Sequence, residues 1–342
     1  MESYWGWAVL PLAVLAGTVW LTGPLLGWLQ RRAILDRPVE RSSHTVPVPR
    51  GGGLVLIPLV LIAWLIFAAA GNAPHGTTVI AIVAGCLALL SWFDDLGGLG
   101  VGWRLAVHLV AAALGVLFLP GTGLVFQGAL PPLLDHAVTV LLWVWFLNLY
   151  NFMDGIDGIT GAETIAIGLG IVLVLSFAGQ NTDDASLLAL VLAAGALGFL
   201  RWNWAPARIF LGDVGSVPLG FITGWLLLAM AARGLWASAL ILPLYYLADS
   251  GWTLMRRILR GERFWEAHRT HFYQRALAPD GEHRLVVRLI AAGNISLVAL
   301  AGLAIYLPRP ALIIAILITA YLLRQLSRRA KAPPSSAARG TL

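Results

Sequence analysis

The sequence predicts an all-α polytopic membrane protein, and three observations carry that prediction. The 342 residues are 59% hydrophobic and only 12% charged, whereas soluble domains are about a quarter charged. Apolar runs long enough to cross a hydrocarbon layer recur along the whole chain. The basic residues avoid those runs and gather in alternate loops.

Eleven runs fit the hydropathy: 5–29, 51–71, 77–93, 103–119, 137–152, 160–178, 186–203, 215–232, 235–255, 285–306 and 310–326. Glu2 and the lack of a basic residue ahead of the first run argue against a cleaved signal, so that run reads as a permanent helix. If each run crosses once, all but two of the 23 Lys and Arg fall on one side, in 30–50, 94–104, 201–214, 256–288 and the tail from 324. Only Arg233 and Arg309 fall on the other. Positive residues stay in the cytoplasm. The expected topology therefore has about 11 transmembrane helices, the N-terminus outside and the C-terminus cytoplasmic. Residues 1–330 form one integral-membrane domain in this reading. The Pro/Ser/Ala-rich stretch 331–342 is expected to be a disordered tail.

Composition also excludes function classes. The single Cys86 leaves no disulfide framework and no thiolate metal cluster. The net charge of +6 comes from the cytoplasmic loops and has no base-stacking motif beside it, so nucleic acid is not an expected partner.

The polar residues cluster instead of scattering, and every cluster maps to the cytoplasmic side. The densest is Asn148–Glu163, N-L-Y-N-F-M-D-G-I-D-G-I-T-G-A-E, between two apolar runs. Polar groups at membrane depth are costly unless satisfied, so this stretch is a candidate site. Its Asp154-Gly155 and Asp157-Gly158 pairs combine acceptor carboxylates with backbone that a ligand can approach closely. A tight polar turn is the plainer reading, but a turn does not need four Asn and Asp side chains.

Asp94 and Asp95 end the third run. Adjacent carboxylates repel, and a divalent cation relieves the repulsion. The plainer reading is a solvated helix end. Phe210-Leu211-Gly212-Asp213-Val214-Gly215-Ser216 opens the eighth run. A Gly-flanked Asp before a helix N-terminus suits a diphosphate and its cation, though Asp213 or Ser216 could simply cap the helix. Arg41–Gly53 precedes the second run, and its Arg41, His44 and Arg50 offer positive charge beside three glycines. Arg31, Arg32 and Arg37 read as ordinary orientation charge.

Glu266–Arg275 lies in the longest cytoplasmic loop. His268 and His271 are three apart with Arg269 between, which is not zincin spacing, so phosphate hydrogen bonding is the better reading. Arg256, Arg257, Arg260 and Arg263 form a basic stripe suited to anionic lipid or to orientation alone. His75, His108, His136 and His283 lie apart from these clusters and read as structural. Asp249, inside the ninth run, could bind a ligand or pair within the bundle. The outer loop 120–136 has no assignable role.

Taken in order, the Asp-Asp pair, N-x-x-N-x-x-D-G-x-D-G, G-D-x-G-S and a His-containing final loop resemble the polyprenyl-phosphate N-acetylhexosamine-1-phosphate transferases. The resemblance runs from Arg31 to about Arg275. It implies a bacterial inner-membrane enzyme facing the cytoplasm that uses Mg²⁺, with Mn²⁺ as an alternative ion. The implied reaction joins undecaprenyl phosphate and a UDP-N-acetyl sugar, releasing UMP. By resemblance, Asp94 deprotonates the lipid phosphate beside Asp95, and Asp213 is the principal metal ligand, with Asp94 and Asp95 contributing. Asn148, Asn151, Asp154 and Asp157 line the nucleotide or diphosphate site, and Phe210 stacks on uracil. His44 and Arg50 flank the diphosphate, while His271 and Arg275 complete the final loop. A homodimer is an open arrangement.

The final loop reads H-F-Y-Q-R, where muramoyl-pentapeptide enzymes of this family carry three consecutive His. Arg104, and Ser42 in place of the Lys of many relatives, are further departures. The expected branch is therefore initiation of surface polysaccharide such as O-antigen of lipopolysaccharide, with UDP-GlcNAc or a 6-deoxy-N-acetylamino sugar. The peptidoglycan enzyme is the nearest alternative. A secondary transporter would place ionisable residues near span centres, and an inactive structural relative would lack motif carboxylates. Direct attack by the lipid phosphate and a covalent aspartyl-phosphate at Asp94 or Asp95 both remain open.

Overall fold

A computed structural model describes residues 7–38, 46–120, 123–179, 185–262, 269–277 and 282–331. Thirteen helices are described: α1 Val9–Arg31, α2 Gly53–Ala69, α3 Thr77–Gly97, α4 Val101–Val116, α5 Pro132–Met153, α6 Ile159–Phe177, α7 Ala185–Asn203, α8 Asp213–Ala232, α9 Trp236–Ile241, α10 Leu244–Leu259, α11 Phe272–Ala276, α12 His283–Leu303 and α13 Pro308–Arg329. Two short antiparallel strands, β1 Leu35–Asp36 and β2 Val48–Pro49, pair Leu35 with Pro49. The protein is an all-α polytopic membrane protein. Eight helices are long and apolar enough to cross a bilayer, and α2 and α4 are shorter apolar helices.

The ninth expected run is not one helix. It breaks between α9 and α10, with Pro243 as the residue that caps α10. Proline has no N–H to donate into the preceding turn, and its ring crowds the carbonyl four residues back. Pro24, Pro58 and Pro218 are accommodated inside α1, α2 and α8. The expected tail 331–342 lies outside the described residues from 332 onward.

α8 is the central column. Of its most apolar window, 94% is buried inside the protein, and it packs against α2, α3, α5, α6 and α9. The perimeter is apolar and uncovered: Trp20 is 77% exposed, Leu133 84% and Ile295 72%. Water would penalise that surface, and hydrocarbon does not. Interior polar groups pair across helices instead. Asn294 of α12 donates to Glu163 of α6 at 2.6 Å, and Tyr150 of α5 meets Thr164 of α6 at 2.6 Å.

Backbones meet where α2 and α8 begin. A Cβ on Gly53 would lie 2.4 Å from Gly215 Cα, with no flexible side chain to move aside. Overpacking of this kind costs about 1–3 kcal/mol. Gly53→Ala is expected to lower the thermal midpoint in detergent by several degrees. Gly102→Ala, where a Cβ would meet nothing within 4 Å, is expected to leave it unchanged or raise it.

Candidate active site

Asp95 sits where three segments meet. α8 is preceded by Gly212, at φ +77, which has no side chain to cap the helix. The first N–H groups of a helix need acceptors from elsewhere. Asp95 supplies them from α3: it accepts from Asp213 N at 3.2 Å and Val214 N at 3.0 Å. It also accepts from the Arg50 guanidinium. Its side chain is 1% exposed, so all of this happens out of water, where a carboxylate at a helix N-terminus is most useful.

Arg50 is placed by backbone. Phe210 N donates to Pro49 O at 2.8 Å, and Gly51 N and Gly52 N donate to Phe210 O at 3.1 and 2.8 Å. The glycines are needed here, since a Cβ on Gly52 would lie 2.3 Å from the Phe199 ring. Burial works against the charge of Arg50, but Asp95 and Asp213 beside it hold its pKa above the ordinary value. The Phe210 side chain is half-buried.

Asp94 points to a different partner from its neighbour. Arg104 Nη1 donates to Asp94 Oδ2 at 2.7 Å and lies 3.8 Å from Asp213 Oδ2. Arg50 Nη2 lies 3.5 Å from Asp213 Oδ1. Asp213, 23% exposed, therefore faces two guanidiniums. A small recess of about 30 Å³ brings together Asp94, Arg104, Asn148, Asn151 and Asp213. Asn151 accepts from Ser216 Oγ at 2.6 Å, and Asn148 donates to Val144 O at 2.7 Å.

The donor set of this recess is carboxylate and amide oxygen together with Ser91 and the buried His108, a histidine that read as structural from the sequence. No three His, Cys, Asp or Glu side chains converge as a ready-made metal cage among the described residues. Mg²⁺ does not need one, because it is usually held by one or two carboxylates, waters and substrate phosphates. Asp94 and Asp213 fit that pattern. The oxygens of Asp95 are already committed to Arg50 and to the start of α8.

The Asn148–Glu163 stretch runs from α5 to α6 and divides into two parts. Asp154 ends α5 and is half-buried. Loss of hydration pushes its pKa up to about 7, helped by the negative charge of Asp213 and opposed by a hydrogen bond from Thr160. Asp157 turns elsewhere: Ala207 N donates to its Oδ2 at 2.9 Å, and His283 Nδ1 lies 3.2 Å from its Oδ1. Gly158 N donates to Asn203 Oδ1 at 2.9 Å. Asp157 thus ties the turn to the segment after α7 and to the start of α12.

The final loop is held by Asp249, which is fully buried. Its carboxylate accepts from Phe272 N at 3.0 Å, Tyr273 N at 3.2 Å and Tyr245 OH at 3.1 Å, and His271 Nδ1 lies 3.2 Å away. A carboxylate on Nδ1 sets the imidazole tautomer and orientation. Tyr273 OH then donates to Phe152 O at 3.0 Å. It comes so close to Gly155 that a Cβ there would lie 2.2 Å away, so Gly155 is required by close approach of the loop. Arg275 follows on α11, half-buried.

Of the residues singled out in the sequence, Arg50, Asp94, Asp95, Asn148, Asn151 and Asp213 come together. Asp154 and His271 are joined through Gly155 and Tyr273, while Asp157 is turned away. Arg41, His44, Glu266 and His268 lie outside the described residues. Sequence reasoning missed the role of Arg104, dismissed His283 and left Asp249 open. At the other end of α5, Asp135 ties the preceding segment, accepting from Val125 N and Phe126 N at 3.0 and 2.9 Å.

The raised pKa of Asp154 has a measurable sign. An exposed Asp titrates near 3.9, so in the unfolded chain Asp154 loses its proton earlier than in the folded protein. Its contribution to stability is favourable below about 4 and is lost as pH rises through about 7. In EDTA, Asp154→Asn should match the wild-type midpoint near pH 4.5 and exceed it above pH 8. A difference independent of pH would contradict this placement.

The chain is similar to known proteins over most of its length. Residues 77–231 match the model of glycosyl transferase family 4. The "Probable undecaprenyl-phosphate N-acetylglucosaminyl 1-phosphate transferase" of Bacillus subtilis is 29% identical, over 75% of this chain and 73% of its own length. The decaprenyl-phosphate N-acetylglucosaminephosphotransferase of Mycobacterium tuberculosis is 28% identical, over 83% of this chain and 78% of its own. The phospho-N-acetylmuramoyl-pentapeptide-transferase of Symbiobacterium thermophilum is 34% identical, over 61% of this chain and 69% of its own. A membrane-embedded bundle whose motif carboxylates meet at one end, matched over most of its length by these enzymes, belongs to the polyprenyl-phosphate hexosamine-1-phosphate transferase family and is a phosphoglycosyl transferase.

Proposed function

We propose that this enzyme transfers the sugar 1-phosphate of a UDP-N-acetylhexosamine to undecaprenyl phosphate, releasing UMP. UDP-GlcNAc or a 6-deoxy-N-acetylamino sugar is the favoured donor, and the product would start a surface polysaccharide such as O-antigen. The observation that carries the reading is the recess of Asp94, Arg104, Asn148, Asn151 and Asp213 at the end of the helix bundle. A soluble nucleotide sugar and a lipid phosphate can meet at such a boundary. The two relatives named for N-acetylglucosamine match 75% and 83% of the chain, which supports GlcNAc. The muramoyl-pentapeptide relative has the higher identity over a shorter stretch, so the peptidoglycan substrate stands as the second reading.

The Lys and Arg distribution supports eleven crossings, with the N-terminus outside and the recess facing the cytoplasm of a bacterial inner membrane. Asp94 and Asp213 would hold Mg²⁺, which when bound would neutralise charge on the diphosphate. Arg50 and Arg104 flank the same phosphates. Asn148, Asn151 and Asp154 orient the nucleotide, Phe210 stacks on uracil, and His271 and Arg275 close from the final loop. Phosphoryl transfer needs positioning and charge stabilisation more than covalent help. Direct attack by the lipid phosphate, with Asp94 taking its proton, is the favoured route, since phosphoryl transfer needs no covalent intermediate when both phosphates are positioned.

UMP release by purified protein with Mg²⁺ and undecaprenyl phosphate tests the proposal. UDP-GlcNAc, a 6-deoxy analogue and UDP-MurNAc-pentapeptide would be compared. Release from one of the first two is expected, abolished by EDTA and lowered at least about 100-fold in Asp213→Asn, as for loss of a group that stabilises transition-state charge. Release from the pentapeptide substrate alone would move the enzyme to the peptidoglycan branch.

A further inference from the structure

We propose that Tyr273 is a positioning residue for the nucleotide sugar, an inference that rests on the roles proposed above for Asn151 and Asp154. Tyr273 touches neither the recess nor any phosphate in this reading. It acts through the end of α5.

The hydroxyl of Tyr273 caps that end. α5 stops at Met153, and the last carbonyls of a helix lack intrahelical partners. Tyr273 OH donates to one of them, Phe152 O, at 3.0 Å. Phe152 lies between Asn151, which lines the recess, and Asp154, which ends the helix. Asn151 is also held from α8, by Ser216 Oγ at 2.6 Å. The tie to the final loop is the Tyr273 hydroxyl, and the backbone it holds is the one from which both side chains leave.

Tyr273 is itself fixed at both ends. Its side chain is fully buried. Its N–H donates to Asp249 at 3.2 Å, and the N–H of Phe272 does so at 3.0 Å. The Gln274 side chain shares a hydrogen bond with the hydroxyl, and the His271 ring stacks on the phenol with centroids 5.6 Å apart. A rigid ring held at its backbone and at its oxygen sets the distance between the final loop and α5. A side chain that only filled space would need none of these bonds.

Gly155 shows how closely that distance is set. A Cβ there would lie 2.2 Å from Tyr273 OH, 3.1 Å from its Cζ and 3.2 Å from Gln274 Nε2. Gly155 is not among the glycines at positive φ, whereas Gly158 is. Backbone conformation therefore does not call for glycine at 155. The approach of the final loop does, next to Asp154.

The test compares Tyr273→Phe, Gly155→Ala and the double variant, with Tyr306→Phe, 69% exposed, as the control. UMP release is measured against each substrate in turn. Tyr273→Phe is expected to raise KM for the UDP-sugar about tenfold, the size of one lost hydrogen bond. KM for undecaprenyl phosphate and kcat should change far less, a split that general loosening of the fold would not produce. Gly155→Ala should raise the same KM at least as far. A phenyl ring has no oxygen where the new methyl would strike, so the double variant should match Tyr273→Phe and not the product of the two single effects. The control should match wild type.

The same series titrated with UMP by calorimetry needs neither lipid nor turnover. Weaker UMP binding in the same pattern would support the positioning role whichever sugar is transferred. Wild-type protein that binds no uridine nucleotide would overturn it together with the proposed function. Unchanged UDP-sugar KM and UMP affinity in Tyr273→Phe, an equal rise in KM for the lipid phosphate, or multiplying effects in the double variant would overturn the positioning role alone.

Discussion

The structure depends on one interaction, the Asp95 carboxylate at the N-terminus of α8. That helix is the column against which α2, α3, α5, α6 and α9 pack, and it begins after a glycine that cannot cap it. A helix end left uncapped inside protein would strand backbone donors at a cost of about 1–3 kcal/mol each. Asp95 satisfies two of them from α3 and draws Arg50 from the loop before α2. One side chain therefore sets the relative height of three segments. The distances that Asp94, Arg50 and Arg104 keep from Asp213 follow from that height.

The membrane explains why the site looks as it does. Hydrocarbon forbids polar groups on the perimeter, so polar residues are restricted to the interior and to helix ends. The interior pairs, such as Glu163 with Asn294, join helices. The helix ends gather the chemistry: α3 and α5 finish there, and α2, α6, α8 and α12 start there. Aligned peptide dipoles and short loops then place anions and cations within a few ångströms of each other. Asp94 and Asp213 lie beside two guanidiniums.

Most helices were legible because the apolar runs are long and the breaks between them polar. The division of the ninth run was not, since Pro243 sits where a proline could equally have been absorbed, as Pro24, Pro58 and Pro218 are. The site was legible as a set of motifs on one side of the membrane. Its internal roles were not. Asp94 and Asp95 are adjacent in sequence, and only the angle between α3 and α8 decides that one caps a helix and the other meets Arg104. Asp249 looked ambiguous because its partners are backbone N–H groups 23 and 24 residues away, which carry no side-chain signature. His283 looked isolated because its partner Asp157 is 126 residues earlier.

The most direct test of the account measures stability and UMP release together in Asp95→Ala and Asp213→Asn. Removing one partner of a buried charge pair costs about 3–5 kcal/mol. Asp95→Ala should therefore lose both its thermal midpoint, by several degrees, and its turnover. Asp213→Asn should lose turnover while losing less of its midpoint, because its carboxylate is 23% exposed and lies no closer than 3.5 Å to Arg50 and 3.8 Å to Arg104. An Asp95→Ala protein that melts like wild type yet releases no UMP would make Asp95 a reacting group and contradict its place as the cap on which the site is built.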